Sequence, residues 1–156
     1  MSEDPTAIAA DDFAAIRHVV DRIDDTVDRK DWDSCRALFA DELQVDFTSL
    51  AGGEPGPLAA DDLIGAWRSN LHAAKPSFHM RTNHRVEIDG GTATCVSKGH
   101  ALNIMPRRTG DDLWEVWGWY THTLRRDSDG WRCTGMMLEV VHARGNETVR
   151  TAGPED

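Results

Sequence analysis

Length, composition and charge exclude several classes of protein. The chain has 156 residues, 40% hydrophobic and 28% charged, with a net charge of −10. This size suits one domain with a packed core, and no run approaches the about 18 apolar residues of a membrane span. We therefore expect no membrane partner, and because an acidic surface repels phosphate backbones, we expect no nucleic-acid partner.

The cysteines and the N-terminus indicate a cytoplasmic location. The three cysteines are widely spaced and odd in number: Cys35, Cys95 and Cys133. This pattern argues against a disulfide framework or a zinc knuckle and fits a reducing compartment. The N-terminus has no basic region followed by an apolar one, so it shows no secretory signal.

Helical patterns dominate the first half of the chain. A first helix is predicted from apolar side chains three and four positions apart, namely Phe13, Ile16, Val20, Ile23 and Val27. Asp31 can cap a short second helix whose apolar side runs to Phe39. Alternating apolar and polar residues predict a strand at 43–48. Glycine and proline residues predict a loop at 51–57, and a third helix is expected at 58–74.

Strand patterns fill the second half. Four strands are predicted, at 78–88, 92–105, 114–126 and 131–142. Helices followed by a strand meander predict the α+β class, with a cone-shaped, curved antiparallel sheet wrapped over three helices around a pocket. We expect one domain at 10–145, a flexible N-terminus at 1–9 and a loose polar tail at 146–156.

The residues themselves offer one candidate acid and two candidate histidines. Motifs for phosphate loops, nucleophile elbows and metal sites are absent, so we expect no cofactor and no metal. Asp28 lies at the edge of the apolar stripe of the first helix, where a histidine on a facing strand could pair with it. Alternation along 78–88 puts His84 on the more apolar face and His79 on the polar face, so the pattern alone favours His84.

Several segments resemble the SnoaL-like proteins of the nuclear transport factor 2-like superfamily, which includes scytalone dehydratase and hexachlorocyclohexane dehydrochlorinase. These segments are Asp24–Asp33, Leu38–Asp41, Val45–Phe47, Phe78–Val86 and Asp129–Arg132. The resemblance implies the same α+β cone and a cofactor-free elimination. It also implies a catalytic Asp–His dyad, which falls on Asp28 and His79 and replaces the choice of His84.

The resemblance further implies a pocket for a small-molecule substrate. Candidate pocket residues are Phe47, Trp67, His100, Asn103, Trp119, Thr121 and Met137. Val27 and Phe47 stand where the dehydratase has tyrosines. An aromatic wall suits a cyclic or polyketide-like substrate, and the family implies a homodimer or homotrimer.

Three functions remain open at this point. We expect a dehydratase-like lyase or an isomerase. The alternative is a non-catalytic small-molecule-binding or assembly module on the same scaffold, since fold alone does not decide function. Epoxide hydrolysis or cyclisation needs further acids that the sequence pattern does not place. Whether His84 or His100 shares the pocket with His79 also stays open.

Overall fold

A computed structural model describes residues 10–156, and the predicted flexible N-terminus at 1–9 lies outside the described residues. The helices are α1 (Ala10–Asp28), α2 (Trp32–Ala37), α3 (Thr48–Ala51), α4 (Ala60–Asn70) and α5 (Glu147–Thr151). The strands are β1 (Phe39–Asp46), β2 (Gly56–Ala59), β3 (Ser77–Asp89), β4 (Thr92–Ile104), β5 (Leu113–Asp127) and β6 (Gly130–Gly145). No helix between residues 10 and 156 is long and apolar enough to cross a membrane.

The six strands form one curved, open sheet in the order β2-β1-β6-β5-β4-β3. Strands β3 to β6 run as an antiparallel meander, whereas β1 pairs in parallel with β6 and antiparallel with β2. The predicted α+β class is confirmed, and the sheet is mixed because β1 enters beside β6. The long β3 lies at one edge of the sheet, where α1 packs against it.

The core lies between the helices and the inner face of the sheet. The stripe of α1 supplies Ile16, Val19, Val20, Ile23 and Val27, each at most 7% exposed. Burying one such side chain stabilises the fold by about 1.5–3 kcal/mol. The three cysteines are free and buried. Burial raises the pKa of the Cys133 thiol to about 12, so that thiol is unreactive at neutral pH.

Local boundaries differ from the sequence prediction around β1 and β2. Phe39, which the helical pattern assigns to the second helix, begins β1. Residues 56–59 form β2 because they pair with β1. The helix predicted at 58–74 is observed as the shorter α4. It begins only after Ala59, because this N-cap residue has an extended backbone.

The C-terminal residues contain structure that their polar composition does not predict. Residues 146–156 are expected as a loose tail, yet Glu147–Thr151 forms α5. The Asn146 side chain accepts a hydrogen bond from Thr148 N and so caps this helix. One apolar side chain, Val149, is fully buried and packs α5 against β4 and β5.

Candidate active site

Three acids of α1 pair with three bases of β3. The pairs are Asp28 with His79, Asp24 with Arg81, and Asp21 with His84. The acids are spaced three and four residues apart, which places them on one face of the helix. The helix and the edge strand therefore meet along a row of acid–base pairs.

An irregularity in β3 determines which histidines face α1. The pairing of β3 with β4 shifts between Thr82 and Arg85, and Asn83 has a φ of 56° there. Such a bulge adds one residue, so the inward positions change from odd numbers to even numbers along the strand. Simple alternation, which puts His79 and His84 on opposite faces, is therefore wrong for this strand. Both histidines face the helix.

One carboxylate holds both the ring and the backbone of His79. Oδ1 of Asp28 lies 2.7 Å from Nδ1 of His79, and Oδ2 accepts the backbone N–H of His79 at 2.7 Å. Ser77 Oγ donates a third hydrogen bond to Oδ1 at 2.9 Å. An N–H on Nδ1 satisfies the carboxylate and leaves the lone pair of the neutral imidazole on Nε2.

His79 lines a mostly apolar cavity of about 320 Å³. Three of the predicted pocket residues, Phe47, Trp67 and Asn103, also line it. The side chains of His79 and Asp28 are 18% and 15% exposed, so the pair is shielded and still accessible. The structure thus brings His79, held by Asp28, to a single cavity with two aromatic side chains and one amide.

A family model described as a SnoaL-like domain matches residues 9–136. The chain belongs to the SnoaL-like family. This result confirms the resemblance seen in the sequence. No curated protein matches the chain.

Solved structures share the fold of this SnoaL-like protein. The Kfla4162 protein from Kribbella flavida is 30% identical, with a TM-score of 0.83 over 88% of this chain and 95% of that chain. A candidate scytalone dehydratase from Novosphingobium aromaticivorans is 17% identical, with a TM-score of 0.73 over 90% and 91%. The hexachlorocyclohexane dehydrochlorinase LinA type 3 from Novosphingobium barchaimii is 15% identical, with a TM-score of 0.66 over 90% and 94%. At such identities the last two show the shared fold alone.

Four predicted pocket residues lie outside the cavity of this SnoaL-like protein. They are His100, Trp119, Thr121 and Met137. Strand β5 turns Tyr120 into the cavity, so Trp119 and Thr121 point to the other face because side chains alternate. On β6, Met136 and Leu138 line the cavity, so Met137 between them points away. On β4, Ala101 lines the cavity, so the adjacent His100 points away. The structure therefore does not bring these four side chains to the cavity that His79 lines.

A buried ion pair lies beside the dyad. The sequence pattern did not indicate it as part of the site. Arg81 Nε lies 2.5 Å from Asp24 Oδ2, and Nη2 lies 2.8 Å from Oδ1. The guanidinium lies 3.5 Å above the ring of Tyr120, and all three residues line the cavity. Arg81 follows His79 by two residues on the same strand, so strand alternation from His79 could have found it.

The surroundings also favour a protonated tyrosine. Burial raises the pKa of Tyr120, so its hydroxyl is neutral at physiological pH.

Within residues 10–156, no group of three His, Cys, Asp or Glu side chains is arranged to hold a metal ion.

Proposed function

We propose that this protein is a cofactor-free lyase or isomerase that removes a proton from a small molecule, with His79 as the general base. The proposal depends on the 2.7 Å contact between Asp28 Oδ1 and His79 Nδ1 at the wall of an apolar cavity. A neutral imidazole oriented in this way has a basic Nε2, and the carboxylate stabilises the imidazolium that forms.

The proposed reaction starts at a C–H bond next to a carbonyl or another electron-withdrawing group. Nε2 of His79 takes the proton, and the C–H electron pair becomes the new carbon–carbon π bond or an enolate. In an isomerisation, the imidazolium returns the proton to a different carbon. In an elimination, the leaving group departs with its bonding pair, and the imidazolium can protonate a departing hydroxide to water.

The cavity wall indicates the class of substrate. Phe47, Trp67 and Trp114 provide flat apolar surface, which suits a cyclic ligand. A volume of about 320 Å³ lies at the small end of ligand pockets and favours one or two rings. Asn103, at the same wall, offers both a hydrogen-bond donor and an acceptor.

Two structural neighbours support elimination as the reaction type. One is named as a candidate scytalone dehydratase and the other as a hexachlorocyclohexane dehydrochlorinase. The first name describes loss of water and the second describes loss of hydrogen chloride, and both losses are eliminations. Their identities of 17% and 15% carry no information on substrate, so elimination comes to this chain only as part of the proposal.

The test uses 2-tetralone, a flat bicyclic ketone with acidic C–H bonds, in deuterium oxide. The protein is expected to accelerate deuterium incorporation next to the carbonyl, and His79→Gln is expected to abolish the acceleration. His100→Gln is the matched control because His100 lies outside the cavity. Acceleration should survive exhaustive chelation. Equal rates of deuterium exchange with the unmodified protein and with His79→Gln would refute the role of His79 as the base. Tight binding of cyclic ketones without deuterium exchange would favour the binding-module alternative.

A further inference from the structure

The C-terminal end of α1 has a lysine where helices usually place glycine. Lys30 N–H donates to Val27 O at 3.0 Å, and Asp31 N–H donates to Thr26 O at 2.9 Å. This is the Schellman pattern, whose first residue beyond the helix adopts a left-handed backbone that favours glycine. Lys30 adopts it with a φ of 59°. A side chain in this conformation costs free energy and is found where surrounding contacts hold it, often at functional sites.

The Lys30 side chain leads directly to the dyad. Its Nζ donates to Ser77 Oγ at 3.0 Å, and Ser77 Oγ donates to Asp28 Oδ1 at 2.9 Å. The same Oδ1 binds Nδ1 of His79 at 2.7 Å. Three consecutive hydrogen bonds therefore connect the ammonium group of Lys30 with the imidazole of His79.

The two carboxylates of α1 nearest His79 also have cationic groups close to them. Asp24 on α1 has Arg81 on β3 as its partner, and Asp28 has Lys30 through Ser77. Further charged groups nearby are Lys75, which precedes β3, and Arg150 on α5. The β4 residues opposite Ser77 and His79 are Asn103 and Ala101, which are uncharged. Asp24 and Asp28 thus each have a cation other than His79 nearby.

We propose that Lys30 and Ser77 are positioning residues that fix the Asp28 carboxylate and keep the His79 imidazole neutral, ready to accept a proton. The proposal rests on the proposed role of His79 as a base. Two effects act in the same direction. A hydrogen bond donated by Ser77 draws negative charge away from Oδ1, which weakens the attraction of that oxygen for an imidazolium. The nearby ammonium also disfavours a second positive charge.

A substitution series measured by NMR titration of the His79 ring tests this proposal without any substrate. In Lys30→Met and in Ser77→Ala, the midpoint of the His79 titration is expected to move to higher pH by about 0.5–1 unit. Arg29→Met is the matched control, because Arg29 is exposed on the same turn and should leave the midpoint unchanged.

The Lys30→Gly variant separates the effect of the left-handed backbone from the effect of the ammonium charge. Glycine relieves the left-handed conformation, so the melting temperature should stay or rise, while the His79 midpoint should still move to higher pH. If Lys30 served only to end the helix, Lys30→Gly would leave the midpoint in place, and that result would overturn the proposal. A shifted midpoint together with unchanged deuterium exchange in His79→Gln would instead refute the proposed function and leave the positioning role standing.

Discussion

Asp24 and Arg81 form a two-bonded ion pair one helical turn before Asp28 and two strand residues after His79. The two neighbouring pairs differ in one property, since an arginine does not give up its proton in a protein and a histidine does. The Asp24–Arg81 pair is therefore permanently charged and its side chains are 7% and 4% exposed. The Asp28–His79 pair can gain and lose a proton. The first pair fixes the helix against the strand, and the second is the pair to which we assign the proposed proton transfer.

Asp24→Asn tests the structural pair. The variant leaves the guanidinium of Arg81 buried without its counter-ion, so the free energy of unfolding is expected to fall by about 3–5 kcal/mol in urea denaturation. Asp25→Asn is the control, because Asp25 is exposed on the same helix, and its effect should stay within about 0.5 kcal/mol. A loss below about 1 kcal/mol for Asp24→Asn would show that the pair contributes little to the fold.

Asp28→Asn tests the reactive pair. An asparagine can present its N–H₂ to Nδ1 and hold the imidazole in the wrong tautomer, with the proton on Nε2. We expect the rate of deuterium exchange into 2-tetralone to fall by about 10²–10⁴-fold. The exposed Asp33→Asn should retain the full rate. A decrease of less than about tenfold in a folded Asp28→Asn protein would contradict the orienting role.

The elements that carry the site follow from local patterns. The stripe of α1 has a helical period, and the turn Asp89-Gly90-Gly91 marks the hairpin between β3 and β4, so both elements are readable from the sequence alone. The pairing of Asp28 with His79 came from the resemblance to a family, since alternation favoured His84. Geometry now brings Asp28 and His79 together, while their catalytic role stays a prediction.

Other features depend on contacts that no local pattern encodes. The bulge at Asn83 changes the inward face of β3, and a one-residue change reverses every later side chain. The parallel pairing of β1 with β6 joins strands that are distant in sequence. The buried Val149 helps to hold α5 in place although the tail is polar in composition. Trp119 was expected in the cavity as an aromatic wall, but its odd position on β5 turns it outward.

Gly99→Ala tests how closely the ring of Tyr120, which lines the cavity, packs against β4. A Cβ at Gly99 would overlap two ring carbons of Tyr120 and would lie 3.1 Å from Arg81 Nη1. The ring would have to move, so we expect a loss of about 1–3 kcal/mol in the free energy of unfolding. Gly91→Ala is the matched control, since nothing lies within 4 Å of its Cβ. Equal stability of the two variants would show that Tyr120 is free to move.

His122 predicts how stability depends on pH. Its side chain is fully buried, and burial, aided by the Arg81 cation, lowers its pKa from 6.5 to about 3. The unfolded chain binds a proton at this residue below pH 6.5 and the folded chain does not until about pH 3. The stability that depends on an uncharged His122 is therefore fully present above pH 6.5. It is lost as the pH falls from 6.5 to about 3.

The expected slope is up to about 1.4 kcal/mol per pH unit from this one group. His122→Phe removes the group, so urea denaturation between pH 6 and pH 4 should show a shallower loss of stability than in the natural chain. Neither ring nitrogen has a hydrogen-bond partner within residues 10–156, so the variant should not be destabilised at pH 7 through lost hydrogen bonds. His18→Gln, at an exposed site on α1, should keep the original slope. Identical slopes in His122→Phe and the natural chain would mean that His122 takes up its proton in the folded state as readily as in the unfolded one.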